Sequence, residues 1–226
     1  RRNMDMVYIV ENNGVYGLTK GQYSATADVG SKKKKGPANE TQPIDLCALA
    51  INLGCTFVAR SFSGSKKQLT SILKAAMSHK GFALIDVISP CVTFNNNDES
   101  MRSYGYVKEN EITLHMADYI PHFNPMVEIE VPEGHYRDIT LHDGSTIRLE
   151  TISDEHDPSN AVAALTALHE AEAGKKHVTG LLYFDATKPS LAEDLGLVDQ
   201  ALVDVSDEAL RPDRASLDAL NAEFLA

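Results

Sequence analysis

The sequence has no tryptophan, only three cysteines among 226 residues, and 21 basic against 32 acidic side chains, for a net charge of −11. An odd, small number of cysteines argues against a disulfide-stabilised extracellular domain. No stretch approaches the roughly 18 to 20 consecutive apolar residues of a membrane-spanning helix. Nucleic-acid binding would need a basic stripe, which an acidic chain lacks. We therefore expect a cytoplasmic protein with neither a membrane nor a nucleic-acid partner.

Several catalytic motifs are also missing. The chain has no His-Glu-x-x-His pair, no Gly-x-Ser-x-Gly elbow and no P-loop, which removes the sequence arguments for a zinc protease, a serine hydrolase and a nucleotide hydrolase. The eight histidines are scattered without zinc-ligand spacing, and we expect them at the surface or in loops.

Strands and helices alternate along the first ninety or so residues. Apolar runs at 6–10, 56–59 and 82–88 are typical of buried strands, and residues 44–53 and 65–78 have helical apolar spacing. This order predicts an α/β fold with a parallel sheet and helices on both faces. Beyond residue 98 we expect a short helix, a hairpin at Asp143-Gly144, a helix at 160–173, a strand at 179–184 and a helix near 217–225. We accordingly divide the chain into residues 1–98, part of the sheet domain, and 99–226, an extension packed on it.

The loop after the first strand is the most informative stretch. It supplies the neutral side-chain oxygens of Asn12 and Asn13, several glycines, and the hydroxyl and cation of Thr19 and Lys20. In open α/β sheets, ligands collect at the carboxyl ends of strands. Neutral oxygens together with a phosphate partner suit Mg²⁺. This loop therefore predicts a site for a phosphate-bearing ligand with its metal.

Two segments carry a family resemblance. Residues 12–22, Asn-Asn-Gly-Val-Tyr-Gly-Leu-Thr-Lys-Gly-Gln, closely resemble the second half of the thiamine-diphosphate motif in the β subunits of 2-oxoacid:ferredoxin oxidoreductases, particularly the 2-oxoglutarate type. Residues 89–95, Ser-Pro-Cys-Val-Thr-Phe-Asn, resemble the segment in which that family places a cysteine ligand of its 4Fe-4S cluster. The resemblance extends along the chain to Arg211-Pro212.

The resemblance implies a metal and cluster site. Asn13 would bind Mg²⁺ through its side-chain oxygen and Val15 through its backbone carbonyl, and Cys91 would be a ligand of the 4Fe-4S cluster. A cubane cluster takes four thiolates. Cys47 and Cys55 lie in apolar surroundings, where we expect small buried residues rather than ligands.

It also implies roles around the cofactor. Gly17 would let the backbone pass close to the diphosphate, Leu18 would press against the bent cofactor, and Thr19 would bond to a phosphate oxygen. Lys20 would attract a substrate carboxylate, which in 2-oxoglutarate could be the distal one.

The implied reaction is the oxidative decarboxylation of a 2-oxoacid with coenzyme A to acyl-CoA and carbon dioxide, with electrons passing through the cluster to ferredoxin. The implied partner is an α subunit, without which we expect no activity. The family's upstream Gly-Asp-Gly turn and three further cluster cysteines have no match here, so we expect the chain to be the C-terminal part of the subunit. The lysines at 32–35, beginning with Lys32, are either a solvated loop or a contact for coenzyme A or ferredoxin.

Two alternatives stay open. Another thiamine-diphosphate enzyme, of the acetolactate synthase or decarboxylase type, would share the metal arrangement but would not need Cys91. The chain could also be a truncated, non-catalytic scaffold. Iron and sulfide in the complete subunit would argue against a thiamine enzyme without a cluster. The Gly-Asp-Gly turn and the cysteines in the upstream sequence would argue against a scaffold.

Overall fold

The computed structural model describes residues 2–32, 37–122, 136–151, 156–198, 200–211 and 213–224. By compactness the chain forms two units, Arg1–Leu191 and Ala192–Ala226. No helix in these ranges combines the length and the apolar character that crossing a bilayer requires.

Among its described residues, the first unit contains ten strands. They are β1 (Met6–Asn12), β2 (Val15–Tyr16), β3 (Gln22–Tyr23), β4 (Phe57–Phe62), β5 (Phe82–Ile88), β6 (Glu111–Thr113), β7 (His115–Ile120), β8 (Tyr136–Thr140), β9 (Thr146–Thr151) and β10 (His177–Phe184). Its main helices are α1 (Leu46–Asn52), α2 (Lys66–Met77), α3 (Tyr104–Asn110) and α4 (Ala161–Ala173). The short helix α5 (Leu191–Asp194) begins at Leu191, the last residue of the first unit. Helices α6 (Asp207–Leu210) and α7 (Arg214–Phe224) lie in the second unit.

The main sheet has the strand order β1-β5-β4-β10-β6. β1, β5 and β4 are parallel, whereas β10 is antiparallel to β4, and β6 is parallel to β10. The predicted α/β fold with a mainly parallel sheet is confirmed, with one difference: β10, and β6 beside it, run in the opposite direction to the other three strands. The division of the chain at residue 98 stays a prediction.

Both faces of the main sheet are covered, because its central strands alternate between two apolar clusters. On one face, Phe57 and Ile85 pack against α2 and the three-stranded sheet β7-β9-β8. On the other face, Val58 and Leu84 pack against α1 and α4. Strands that are buried on both faces are expected to be apolar along their whole length, as β4 and β5 nearly are.

The helix ends follow the local sequence. Asp45 caps α1 by accepting a hydrogen bond from the Ala48 N–H at 2.8 Å, and Asn160 accepts from Val162 and Ala163 at the start of α4. Gly54, two residues past α1, has φ of +81°, a backbone conformation in which glycine carries no steric penalty. These signals explain why the predicted helix positions agree closely with the structure.

The prediction of surface or loop histidines is wrong for His115 and His177, which are buried in β7 and β10. His79 does lie in a loop, the one after α2, but it is buried there. It packs against the rings of Phe57 and Phe184. Burial lowers the pKa of His79 and of His115 to about 4 in each case. Both rings are therefore neutral at physiological pH and serve as core residues.

Candidate functional site

The loop after β1 folds back as a small hairpin. β2 and β3 pair antiparallel, with Val15 opposite Tyr23, and the Gly21 N–H donates to the Tyr16 carbonyl at 3.0 Å. Lys20 lies at the turn, with φ of +63°, and its N–H donates to the Gly17 carbonyl at 3.1 Å. The predicted cofactor residues therefore occupy the tip of one defined hairpin.

The tip of this hairpin is open. The Leu18 residue is 98% exposed, and a Cβ added to Gly17 would meet no heavy atom within 4 Å. The Thr19 hydroxyl donates to the Tyr16 carbonyl at 3.3 Å, and within the described residues the Lys20 ammonium forms no hydrogen bond or ion pair. The backbone, the hydroxyl and the ammonium are all accessible to a ligand from outside the chain.

Asn13 lies at the base of the hairpin, half-buried. Its side-chain oxygen accepts a hydrogen bond from the Val15 N–H at 3.0 Å. An amide oxygen has two acceptor positions, so one remains for a cation. This geometry fits the expected role of Asn13 as a neutral oxygen ligand for Mg²⁺.

The cysteines are distributed as the sequence predicts. Cys47 and Cys55 are buried in the core beneath α1, and burial raises the pKa of both thiols. Cys91 is a free, half-exposed thiol in the loop after β5. No group of three or more His, Cys, Asp and Glu among the described residues is placed to hold a metal ion. This part of the chain therefore offers at most one accessible thiolate to a cluster.

A chain of polar side chains crosses the carboxyl ends of β1, β5 and β4. Thr26 donates to the Asn12 side-chain oxygen at 2.7 Å, and Asn12 donates to Asp86 at 2.9 Å. Arg60 then donates to Asp86 and to Asp45, each at 2.8 Å. Burial alone would raise the pKa of Asp45, but the charge of Arg60 and the N–H of Ala48 lower it. These hydrogen bonds hold together the ends of β1 and β5, the strands from which the hairpin loop and the Cys91 loop begin.

A cavity of about 280 Å³ is lined by four of these residues, Asn12, Asp45, Arg60 and Asp86. Arg102 lines it too, donating to Asp28 at 2.9 Å and to the Thr26 carbonyl at 2.6 Å. The side chains of Lys175 and Lys176 are also part of its lining. Sequence reasoning missed this cavity, although a charged residue within each apolar strand, Arg60 and Asp86, was a visible signal that the two must pair.

The Cys91 loop contacts the hairpin loop. Asn95 donates from its side-chain nitrogen to the Asn13 carbonyl at 2.8 Å, and a Cβ at Gly21 would lie 3.1 Å from the Phe94 ring. The structure thus brings the predicted metal loop and the predicted cluster loop together.

Of the lysine run at 32–35, only Lys32 lies within the described residues. It pairs with Glu99 at 3.0 Å on the surface.

The chain matches a family of thiamine enzymes in part of its length. Residues 1–87 match the family model described as the C-terminal TPP binding domain of thiamine pyrophosphate enzymes. The 2-oxoacid:ferredoxin oxidoreductase subunit beta of Saccharolobus solfataricus is 46% identical over 129 residues, 57% of this chain and 40% of the relative. The 2-oxoglutarate synthase subunit KorB of Methanocaldococcus jannaschii is 38% identical over 122 residues, 52% of this chain and 45% of the relative.

A solved structure resembles almost the whole chain. It is the 2-oxoglutarate:ferredoxin oxidoreductase of Magnetococcus marinus, described with 2-oxoglutarate, coenzyme A and succinyl-CoA bound, which is 26% identical with a TM-score of 0.63. The match covers 97% of this chain and 59% of that one. Of the first relatives that it matches by sequence, the chain spans less than half the length, about 40% of each. These comparisons confirm the resemblance that the two sequence segments indicate.

Proposed function

We propose, from the kinship of this chain with the β subunits of 2-oxoacid:ferredoxin oxidoreductases, that it is part of such a subunit and that its substrate is 2-oxoglutarate. The reaction is the oxidative decarboxylation of the 2-oxoacid with coenzyme A, with ferredoxin as the electron acceptor and an α subunit completing the site. The observation that best supports this proposal is the contact between the Asn13 loop and the Cys91 loop, because this enzyme type needs a thiamine cofactor close to a cluster.

The proposed cofactors are thiamine diphosphate, Mg²⁺ and a 4Fe-4S cluster. When bound, thiamine diphosphate takes up the electron pair left as carbon dioxide departs, and the cluster passes electrons singly to ferredoxin. The protein's own contribution is position. Asn13 and Val15 supply oxygen ligands to the metal, and Cys91 supplies one thiolate of the cluster. Other parts of the full subunit supply the remaining ligands.

The exposed hairpin tip has the groups that a diphosphate and a 2-oxoacid require. With the cofactor bound, Gly17 would let the backbone pass close to the diphosphate, and the exposed Leu18 side chain would press against the cofactor. The Thr19 hydroxyl would exchange its bond to the Tyr16 carbonyl for one to a phosphate oxygen. Lys20 attracts the substrate carboxylate. An exposed leucine is common on any protein surface. The assignment of Leu18 to the cofactor site therefore depends on its position in the same hairpin as Asn13 and Lys20.

The function is tested in the full-length β subunit assembled with its α subunit. We expect ferredoxin reduction that depends on both 2-oxoglutarate and coenzyme A, together with bound iron and sulfide. A complex that decarboxylates a 2-oxoacid but holds no iron would place the chain among cluster-free thiamine enzymes. A complex with neither activity nor bound thiamine diphosphate would make it a scaffold.

Replacing Asn13 tests the metal site. Asn13→Ala removes one of roughly six oxygen ligands of Mg²⁺, and we expect thiamine-diphosphate affinity to fall by at least about tenfold, since even outer-shell changes at metal sites cost 10- to 100-fold. Calorimetric titration of the assembled complex with thiamine diphosphate and Mg²⁺ measures this. Asn52→Ala, at an exposed asparagine of α1, is the control and should bind as the wild type does. Equal affinities in all three proteins would remove Asn13 from the metal site.

Replacing Lys20 tests the substrate assignment. Lys20→Met keeps the aliphatic stem and deletes the charge, so the loss of a charged hydrogen bond should weaken binding by about ten- to hundredfold. If Lys20 binds the distal carboxylate, the KM for 2-oxoglutarate rises far more than that for pyruvate, which lacks this group. An equal rise for both substrates would move Lys20 to the shared 2-oxoacid end, and kinetics like those of the exposed control Lys66→Met would make it a solvent-facing residue.

A further inference from the structure

One buried side chain joins the two site loops. Asn95 is buried, and its backbone N–H donates to the Cys91 carbonyl at 2.8 Å. Its side-chain nitrogen donates to the Asn13 carbonyl, also at 2.8 Å. The residue is thus fixed to the Cys91 turn through its backbone and to the Asn13 peptide through its side chain.

The orientation of the Asn95 amide is set from its other end. The Ser100 hydroxyl donates to the Asn95 side-chain oxygen at 2.7 Å, and Ser100 in turn accepts from the Arg102 N–H at 3.1 Å. With its oxygen engaged by a hydroxyl donor, the amide presents its nitrogen to Asn13. The amide orientation follows from this network.

Gly14 makes the contact between the loops possible. It is buried with φ of +71°, and a Cβ at this position would lie 3.1 Å from the Asn95 side-chain nitrogen and 3.2 Å from Arg102. A side chain at position 14 would therefore push the Asn95 loop away from Asn13. Asn95 therefore holds the peptide between Asn13 and Gly14 through a hydrogen bond to its carbonyl. The two can come this close because Gly14 has no side chain.

We propose that Asn95 is a positioning residue that holds the Asn13 peptide, and with it the Asn13 side-chain oxygen, in place for Mg²⁺. This inference rests on the proposed function. Both polar atoms of the Asn95 side chain are engaged within the chain, by Asn13 and Ser100, so the residue would act through Asn13. It also ties the geometry of the metal loop to that of the loop that carries Cys91.

The substitution Asn95→Asp tests this role. It keeps the shape and the acceptor for Ser100 but replaces the donor facing Asn13 with an oxygen, which repels the Asn13 carbonyl. We expect the affinity for thiamine diphosphate with Mg²⁺ to fall about tenfold in the assembled complex, measured by calorimetric titration. Asn97→Asp is the matched control: it adds the same charge two residues away, at an exposed site where the oxygen still accepts from the Glu99 N–H.

A double-mutant cycle separates positioning from general stability. If Asn95 acts through Asn13, Asn95→Asp should change the affinity by less than about twofold in a protein that already carries Asn13→Ala. A merely structural role would give the same tenfold loss in both backgrounds, and that result would overturn the inference. An affinity for Asn95→Asp equal to that of Asn97→Asp would also overturn it.

A second variant covers the case in which Asn95→Asp does not assemble. Ser100→Ala keeps the Asn95 nitrogen but removes the hydroxyl that orients it, and we expect an affinity loss of about threefold; wild-type affinity would overturn the inference. The wild-type complex distinguishes a failure of the proposed function from a failure of the Asn95 inference. If it binds no thiamine diphosphate, the proposed function fails and the inference with it, whereas normal wild-type binding with an unaffected Asn95 variant defeats the inference alone.

Discussion

Cys91→Ser in the complete αβ complex should abolish 2-oxoacid-dependent ferredoxin reduction and lower the iron content of the complex. A hydroxyl is a harder and poorer ligand for iron than a thiolate, and a cubane cluster depends on four thiolates. Because outer-shell changes alone cost 10- to 100-fold in metal affinity, loss of a direct ligand should cost about a hundredfold or more. Iron analysis and the rate of ferredoxin reduction measure the two effects.

The chain provides its own control for this experiment. Cys47 is fully buried, and its thiol donates to the Ala59 carbonyl at 3.8 Å. Cys47→Ala should leave both the iron content and electron transfer unchanged. If Cys91→Ser also retained full iron and normal rates, Cys91 would be an inert loop cysteine and the cluster would lie elsewhere in the complex.

The second large effect concerns stability. Arg60→Met should lower the free energy of unfolding by about 3–5 kcal/mol, the cost of leaving a buried charge without its partner. Asp86 has a side chain only 1% exposed and pairs with Arg60 at 2.8 Å, so the substitution leaves its carboxylate without a cation. Urea unfolding of the chain measures the change. Arg214→Met, which removes an exposed i,i+4 pair with Asp218, should cost no more than about 0.5 kcal/mol.

A companion variant identifies the cause. In Arg60→Met combined with Asp86→Leu, the buried carboxylate of Asp86 is gone and only the partly exposed carboxylate of Asp45 is left without its cation. Much of the stability should return, because apolar replacement of a buried pair is often neutral. If Arg60→Met cost no more than Arg214→Met, the buried pair would not contribute to stability. If the double variant remained as unstable as the single one, packing rather than charge would account for the loss.

Most of the strands and helices could be predicted because they depend on local patterns. The run at 82–88 became β5 without a change of bounds, and the Asp143-Gly144 turn connects β8 and β9 as expected. The direction of β10 could not be predicted in this way. That strand reaches the main sheet after the chain has built a second sheet, β7-β9-β8, and its direction is set by that path rather than by its own residues.

The candidate site was predictable only as separate segments. Asn13 and Cys91 were identified from sequence, but the contact between their loops depends on Asn95, an ordinary loop asparagine until the two strands are placed side by side. The buried histidines were missed for a related reason. His79 occupies a pocket formed by Phe57 and Phe184, which are far from it in sequence, and no local pattern distinguishes it from a surface histidine.

The pair Arg60 and Asp86 also determines how the parallel strands align. The two residues are direct partners across β4 and β5, on the face that also carries Val58 and Leu84. A slip of one residue in either strand would turn its charge toward the opposite face, into the cluster of Phe57, Ile72 and Ile85. The pair therefore disfavours misaligned pairings of β4 with β5. The hydrogen bond from Asn12 to Asp86 ties the end of β1, where the hairpin loop begins, to the same carboxylate.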